Sequence, residues 1–157
     1  MLKYCALIAF SLLFIGCGDS VVEVFYKNSD QLKERFHTKE NSDGLKVKHG
    51  TLLSWSRMGT LVKEENYKDG LLDSISSYWY AADKKEHEIN YIQGQKHGIE
   101  TWWFPSGLKK SETTWSNDLI IGSTSKWNAE GVKVYEALYN NGLKDGIESE
   151  WFDDGAL

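Results

Sequence analysis

Cysteine occurs at only two positions, Cys5 and Cys17, both within the first 17 residues of a 157-residue chain. Downstream of them no thiol is left for a disulfide, a thiolate-bound metal or a cysteine nucleophile. Basic charge is short as well: 18 Lys and Arg against 23 Asp and Glu leave a net charge of −5. That balance argues against nucleic acid as a partner and against electrostatic adhesion to anionic lipid. No Ala/Leu-rich segment of helical period follows residue 20. There is no G-x-S-x-G, H-E-x-x-H, phosphate loop or Cys/His spacing, so the chain reads as non-enzymatic, with no cofactor and no metal. What is present is 14 Gly, a single Pro and many aromatics, a mixture suited to short strands joined by tight turns.

The one long apolar run, Tyr4 to Ile15, follows Lys3 and is too short to span a bilayer. It has the length of a secretory h-region. Phe14-Ile15-Gly16-Cys17 resembles a bacterial lipobox, with Phe14 where Leu is more usual. The resemblance implies cleavage before Cys17, a diacylated Cys17 and attachment to the membrane through that lipid. Residues 1–16 are then a lipoprotein signal peptide and 17–24 the lipidated Cys and a short tether. Gly18 follows Cys17, where Asp would suggest retention at an inner membrane, so the expected place is an outer membrane, facing the periplasm or the cell surface. Removing Lys3 with the signal moves the net charge to −6.

The rest of the chain is periodic. Trp55, Trp79, Trp103, Trp127 and Trp151 recur every 24 residues. Tyr67, Tyr91, Trp115 and Tyr139 keep the same step, as do Glu64, Glu88, Glu112 and Glu136. Three glycine columns share it: 59/107/131/155, 70/94/142 and 50/98/122/146, with Asp83, Asp118 and Ser74 as substitutes. The unit is G-x4-W-x3-G-x4-E-x2-Y-x2-G-x3-G. Apolar alternation into the Trp gives one strand, the next Gly a turn, and the Glu- and Tyr-bearing segment a second strand. Gly and Asp accept the positive φ of such turns. Each unit is therefore a β-hairpin, and because one hairpin is marginal in water, neighbours must stack. Residues 49–157 hold four full units and a partial fifth. Residues 25–48 read as a degenerate first repeat with an insertion near Lys39 to Lys46. The expected fold is all-β: an elongated single-layer antiparallel sheet of tandem hairpins.

The segments YIQGQKHGIETWWFPSGLKKSE (91–112) and YNNGLKDGIESEWFDDGAL (139–157) resemble the MORN-repeat variant. Units of that pattern recur in bacterial secreted proteins and lipoproteins and in proteins labelled YwqK-family antitoxins. The resemblance implies successive hairpins in one sheet, and it supplies no catalytic residues to carry onto this chain.

Candidate sites follow from the columns. Equivalent strands lie about 9–10 Å apart, so the Glu column is tolerable on a wet face without a metal; an acid–base or metal role is the alternative. His49 and His97 share a turn position with Asp73, Ile121 and Asp145, while His37 and His87 stand isolated. The Trp and Tyr columns read as core. Tyr78 and Trp102 share one position outside the columns, Tyr80 and Phe104 another, and alternation places all four opposite the Trp column. Glu88 and Asn90 on the intervening strand are expected to point the same way. These six form a candidate patch for a protein, peptide or glycan, the alternative being packing by segment 38–48. The function expected is a lipid-anchored envelope protein whose repeat array serves as an interaction or scaffold module for a protein partner. The alternatives are an antitoxin-like inhibitor and an envelope glycan-binding module.

Overall fold

A computed structural model describes residues 19–156. The leader and the lipidation expected at Cys17 fall outside that span. Thirteen strands form one sheet: β1 (Ser20–Phe25), β2 (Leu32–Glu40), β3 (Lys46–Trp55), β4 (Leu61–Lys68), β5 (Leu71–Leu72), β6 (Ser74–Ala81), β7 (Lys84–Ile92), β8 (Gln95–Lys96), β9 (Gly98–Trp103), β10 (Lys109–Ser116), β11 (Leu119–Trp127), β12 (Lys133–Asn140) and β13 (Leu143–Glu150). The path is β1-β2-β3-β4-β6-β7-β9-β10-β11-β12-β13, antiparallel throughout, with β5 beside β4 and β8 beside β7. There is no helix among the described residues. The single-layer array expected from the repeats is what forms.

One boundary differs from the sequence expectation. Residues 20–24 belong to β1 rather than to a tether, because Val21 and Val22 pair with His37 and Phe36, and Ser20 and Val21 are buried. The insertion near Lys39 to Lys46 lengthens the β2–β3 hairpin, adding the pairs Lys39↔Val47 and Glu40↔Lys46.

The period reaches the backbone. Each of four successive hairpins leaves one residue without an opposite number on its returning strand: Val62, Glu86, Lys110 and Val134, again 24 apart. Such a bulge reverses the side-chain alternation at that point. Lys85, Lys109 and Lys133 therefore land on the same face as the Glu three residues later, where a regular strand would set them on opposite faces. The three resulting ion pairs are Lys85–Glu88, Lys109–Glu112 and Lys133–Glu136. The Lys85 and Lys109 ammonium groups also lie 5.8 and 5.3 Å from the rings of Trp103 and Trp127. The Glu column alternates across the sheet with Leu53, Ser77, Thr101, Ser125 and Ser149. Its carboxylates are thus two strands apart and each of Glu88, Glu112 and Glu136 has its own lysine. Because these pairs are substantially solvent-exposed, Glu112→Gln should change the unfolding free energy by less than about 1 kcal/mol in a urea titration.

The opposite face, which carries the Tyr column, has a floor of small or buried residues: Leu52, Glu65, Ser76, Ile89, Glu100, Thr124 and Ala137. Tyr67, Tyr91, Trp115 and Tyr139 line one side of it, each paired with a position in the Gly50 column. Large rings opposite residues without side-chain bulk fit a sheet that has no second layer to cover it. Ser74 is the exception in that column, held at φ 82° where Gly50, Gly98 and Gly122 hold 76°, 85° and 63°. Ser74→Gly should therefore raise stability by about 1 kcal/mol, the cost an L-residue bears in that region. An upward shift of the urea midpoint would show it.

Candidate functional site

Tyr78 on β6, His87 on β7 and Trp102 on β9 are direct cross-strand partners. Adjacent strands lie about 4.8 Å apart, close to the thickness of stacked rings, so three in-register aromatic side chains stack across the sheet. The Tyr78 and His87 rings are 5.2 Å apart at 17°, and those of His87 and Trp102 are 3.9 Å apart at 13°.

Two buried carboxylates pin this stack from the floor. Glu100 takes His87 Nε2 at 2.8 Å and Lys96 Nζ at 3.0 Å on Oε1, and accepts Trp115 Nε1–H at 2.7 Å on Oε2. Burial pushes its pKa up, but the hydrogen bonds from His87, Lys96 and Trp115 and the Lys96 charge outweigh burial and hold it at about 2. Glu65 accepts the Tyr78 hydroxyl at 2.8 Å and the Tyr67 hydroxyl at 2.9 Å, with Lys63 at 3.2 Å. Its pKa is likewise lowered: burial raises it, and these three donors more than reverse that. The same contacts, after burial, push the Tyr78 and Tyr67 hydroxyls up. A carboxylate that is buried, ionised and saturated with donors cannot serve as a general acid, which must hold a proton near neutral pH. Glu65 and Glu100 are positioning groups for the stack.

Of the six residues expected to form the patch, the structure brings together Tyr78 and Trp102, joined by His87. Tyr80 lies at the end of β6 and donates its hydroxyl to the Trp103 carbonyl at 3.0 Å. Tyr26 does the same to Trp55 at 2.8 Å, so this is a link between successive hairpin turns. Phe104 lies in the turn that follows β9, its N–H donating to the Leu108 carbonyl and its carbonyl accepting from Gly107. Strand alternation ends before it. Glu88 and Asn90 face the other way, a correction to the sequence reading. Glu88 pairs with Ser77 and accepts its hydroxyl at 3.1 Å, and Asn90 pairs with Ile75, both on the Trp-column face. The β6–β7 register sets His87, not Glu88, opposite Tyr78, and a one-residue difference in register exchanges the faces of every side chain.

His87, expected to stand isolated, is thus the middle of the stack. Glu65 and Glu100 were not singled out either, although the columns carry a signal for both. Glu65 stands where Ile89, Thr113 and Ala137 recur, and Glu100 where Leu52, Ser76 and Thr124 do, with Glu148 the other acid of that column. An acid among small or apolar residues on an inward-facing column marks a polar network.

The lengthened β2–β3 hairpin reaches the turn edge, with Lys39 on Asp69 at 2.6 Å and the Lys48 carbonyl on the Gly70 N–H at 2.9 Å, and its Lys48 ammonium lies 4.8 Å from the Tyr67 ring; none of these contacts falls on Tyr78, His87 or Trp102. A shallow open depression on that same edge, lined by Lys68, Asp69, Leu71, Asp73 and Gln93, is also remote from the rings. His49 serves the turn there, accepting the Asp69 N–H at 3.5 Å. Among the described residues no cluster of three or more His, Cys, Asp or Glu could hold a metal ion. Neither known protein-family models nor curated proteins match the chain.

Proposed function

We propose that this is a lipid-anchored protein of a bacterial envelope, a MORN-variant repeat array that serves as a protein-interaction module and performs no catalysis. One observation carries the reading. The Tyr78–His87–Trp102 stack lies on a face of a one-layer sheet that no other described part of the chain covers. Two buried ionised carboxylates fix its geometry. Residues that only hold a sheet together do not require such anchoring. A rigid surface aimed at a partner does, because a pre-ordered contact spares the entropy of ordering it on binding. The saturated states of Glu65 and Glu100 support the non-catalytic half of the reading.

The test is an envelope pull-down with the intact lipoprotein and with Trp102→Ser. The substitution removes one ring of a partly buried stack, about 0.5–1.5 kcal/mol of ring–ring energy in addition to the area that ring buries, and circular dichroism of the same sample checks that the sheet stays folded. Loss of a specific protein partner with the fold retained is the expected result. Undiminished capture would refute the assignment of this face.

A further inference from the structure

The stack ends abruptly, and its end has the dimensions of a pocket for one more ring. Trp102 uses one face against His87, and among the described residues no ring or cation lies on its other face. The next position in its row is Ser111 on β10, paired with Trp102 on one side and with Lys126 on β11 on the other. Trp102 and Lys126 are therefore two strand spacings apart, roughly 9–10 Å, with only a serine between them. The Trp102 ring stacks on His87 at 3.9 Å, and the Lys126 ammonium sits 4.9 Å from the Tyr135 ring on β12, about one strand spacing away. A planar group in the gap needs about 3.5 Å of separation from each neighbour, and the gap supplies it.

We infer that the Trp102–Ser111–Lys126 slot is the specificity-determining pocket of the interaction face and takes an aromatic side chain of a partner protein. One wall offers an indole face and the other an ammonium group, and both attract the π-face of a neutral ring. The same ammonium repels a guanidinium, the other planar side chain that stacks on tryptophan. Charge on the far wall thus selects tyrosine, phenylalanine or tryptophan over arginine. The inference rests on the proposed role of this face as a binding surface.

The experiment uses the full chain labelled with 5-fluorotryptophan, with the Trp102 signal identified through Trp102→Phe. N-acetyl-tyrosinamide, N-acetyl-argininamide and N-acetylglucosamine are titrated to millimolar concentrations and the fluorine spectrum is read. The tyrosine probe should move the Trp102 signal saturably, about five-fold further than either other probe. Ser111→Phe should abolish that response by filling the slot from within. Lys126→Ala, a milder change at an exposed position, should weaken it several-fold. An absent or non-saturating shift, or an equal response to the arginine or sugar probe, would overturn the proposal. Pull-downs separate its failure from that of the broader reading. If Trp102→Ser loses the partner while Ser111→Phe keeps it, the slot is wrong and the face stands. If both variants keep the partner, the face itself is wrong.

Discussion

Glu100→Ala should lower the unfolding free energy by about 3–5 kcal/mol, the range found when one partner of a buried ion pair is removed. Glu100 has a side chain only 8% exposed and gathers donors from three strands, His87 on β7, Lys96 on β8 and Trp115 on β10. Truncation leaves the His87 and Trp115 donors facing a void, while Lys96, 31% exposed, can turn to water, so the loss exceeds that of one hydrogen bond. Glu100→Gln keeps an acceptor and the side-chain volume and should cost about half as much. Chemical denaturation of the purified chain separates the two, and an alanine variant within about 1 kcal/mol of wild type would show the network to be dispensable.

The same group sets an acid limit. Its folded pKa, about 2, lies below its ordinary value of 4.5. A depressed carboxylate stabilises the fold fully above the unfolded value, and that contribution disappears as pH falls through the folded value. Stability should therefore drop between roughly pH 4.5 and 2, by about 3 kcal/mol from Glu100, with Glu65 acting in the same direction. In Glu100→Gln this part of the pH dependence should be missing.

Cys17→Ser should move the protein almost completely from the membrane pellet to the soluble fraction. Each buried methylene of an acyl chain contributes about 0.8 kcal/mol, so two chains on one cysteine give stable anchoring. Cleavage before Cys17 would remove Lys3 and leave a net charge of −6, so the polypeptide would have no electrostatic hold on anionic lipid to replace them. The fold adds a geometric consequence. β1 begins at Ser20, three residues after Cys17, and three peptide units reach at most about 10 Å. A lipid on Cys17 would hold the β1 edge close to the bilayer, and eleven strands at about 4.8 Å each give the sheet a width of roughly 50 Å. Continued membrane association of Cys17→Ser would contradict the anchor.

The repeat made the architecture readable, because residues 24 apart must occupy equivalent places in equivalent hairpins. Five Trp and four Tyr-type positions sufficed to place the strands, and Asp83, Asp118 and Ser74 do take the positive φ their glycine columns require. The grouping of Glu100 with Trp102 opposite Trp103 also follows from alternation. Register between strands was not readable. The bulges at Val62, Glu86, Lys110 and Val134 carry no common residue type, so nothing in the sequence announces that Lys85 and Glu88 share a face. Alternation without that register sets Glu88 beside Tyr78 and leaves His87 alone. Residues 20–24 escaped for a different reason. They precede the first recognisable unit, and only their pairing with β2 makes them a strand.

A photo-crosslinking amino acid placed at Glu150, compared with one at Ser123 in living cells, tests the central claim most directly. Glu150 is exposed and ends the row that runs from Trp102 through Ser111, Lys126 and Tyr135, outside the slot itself, whereas Ser123 pairs with Leu138 on the opposite face of the same sheet. The account predicts a discrete protein adduct from position 150, abolished by Trp102→Ser, and none from position 123. Adducts from position 123 alone, or an adduct at 150 indifferent to Trp102, would contradict it.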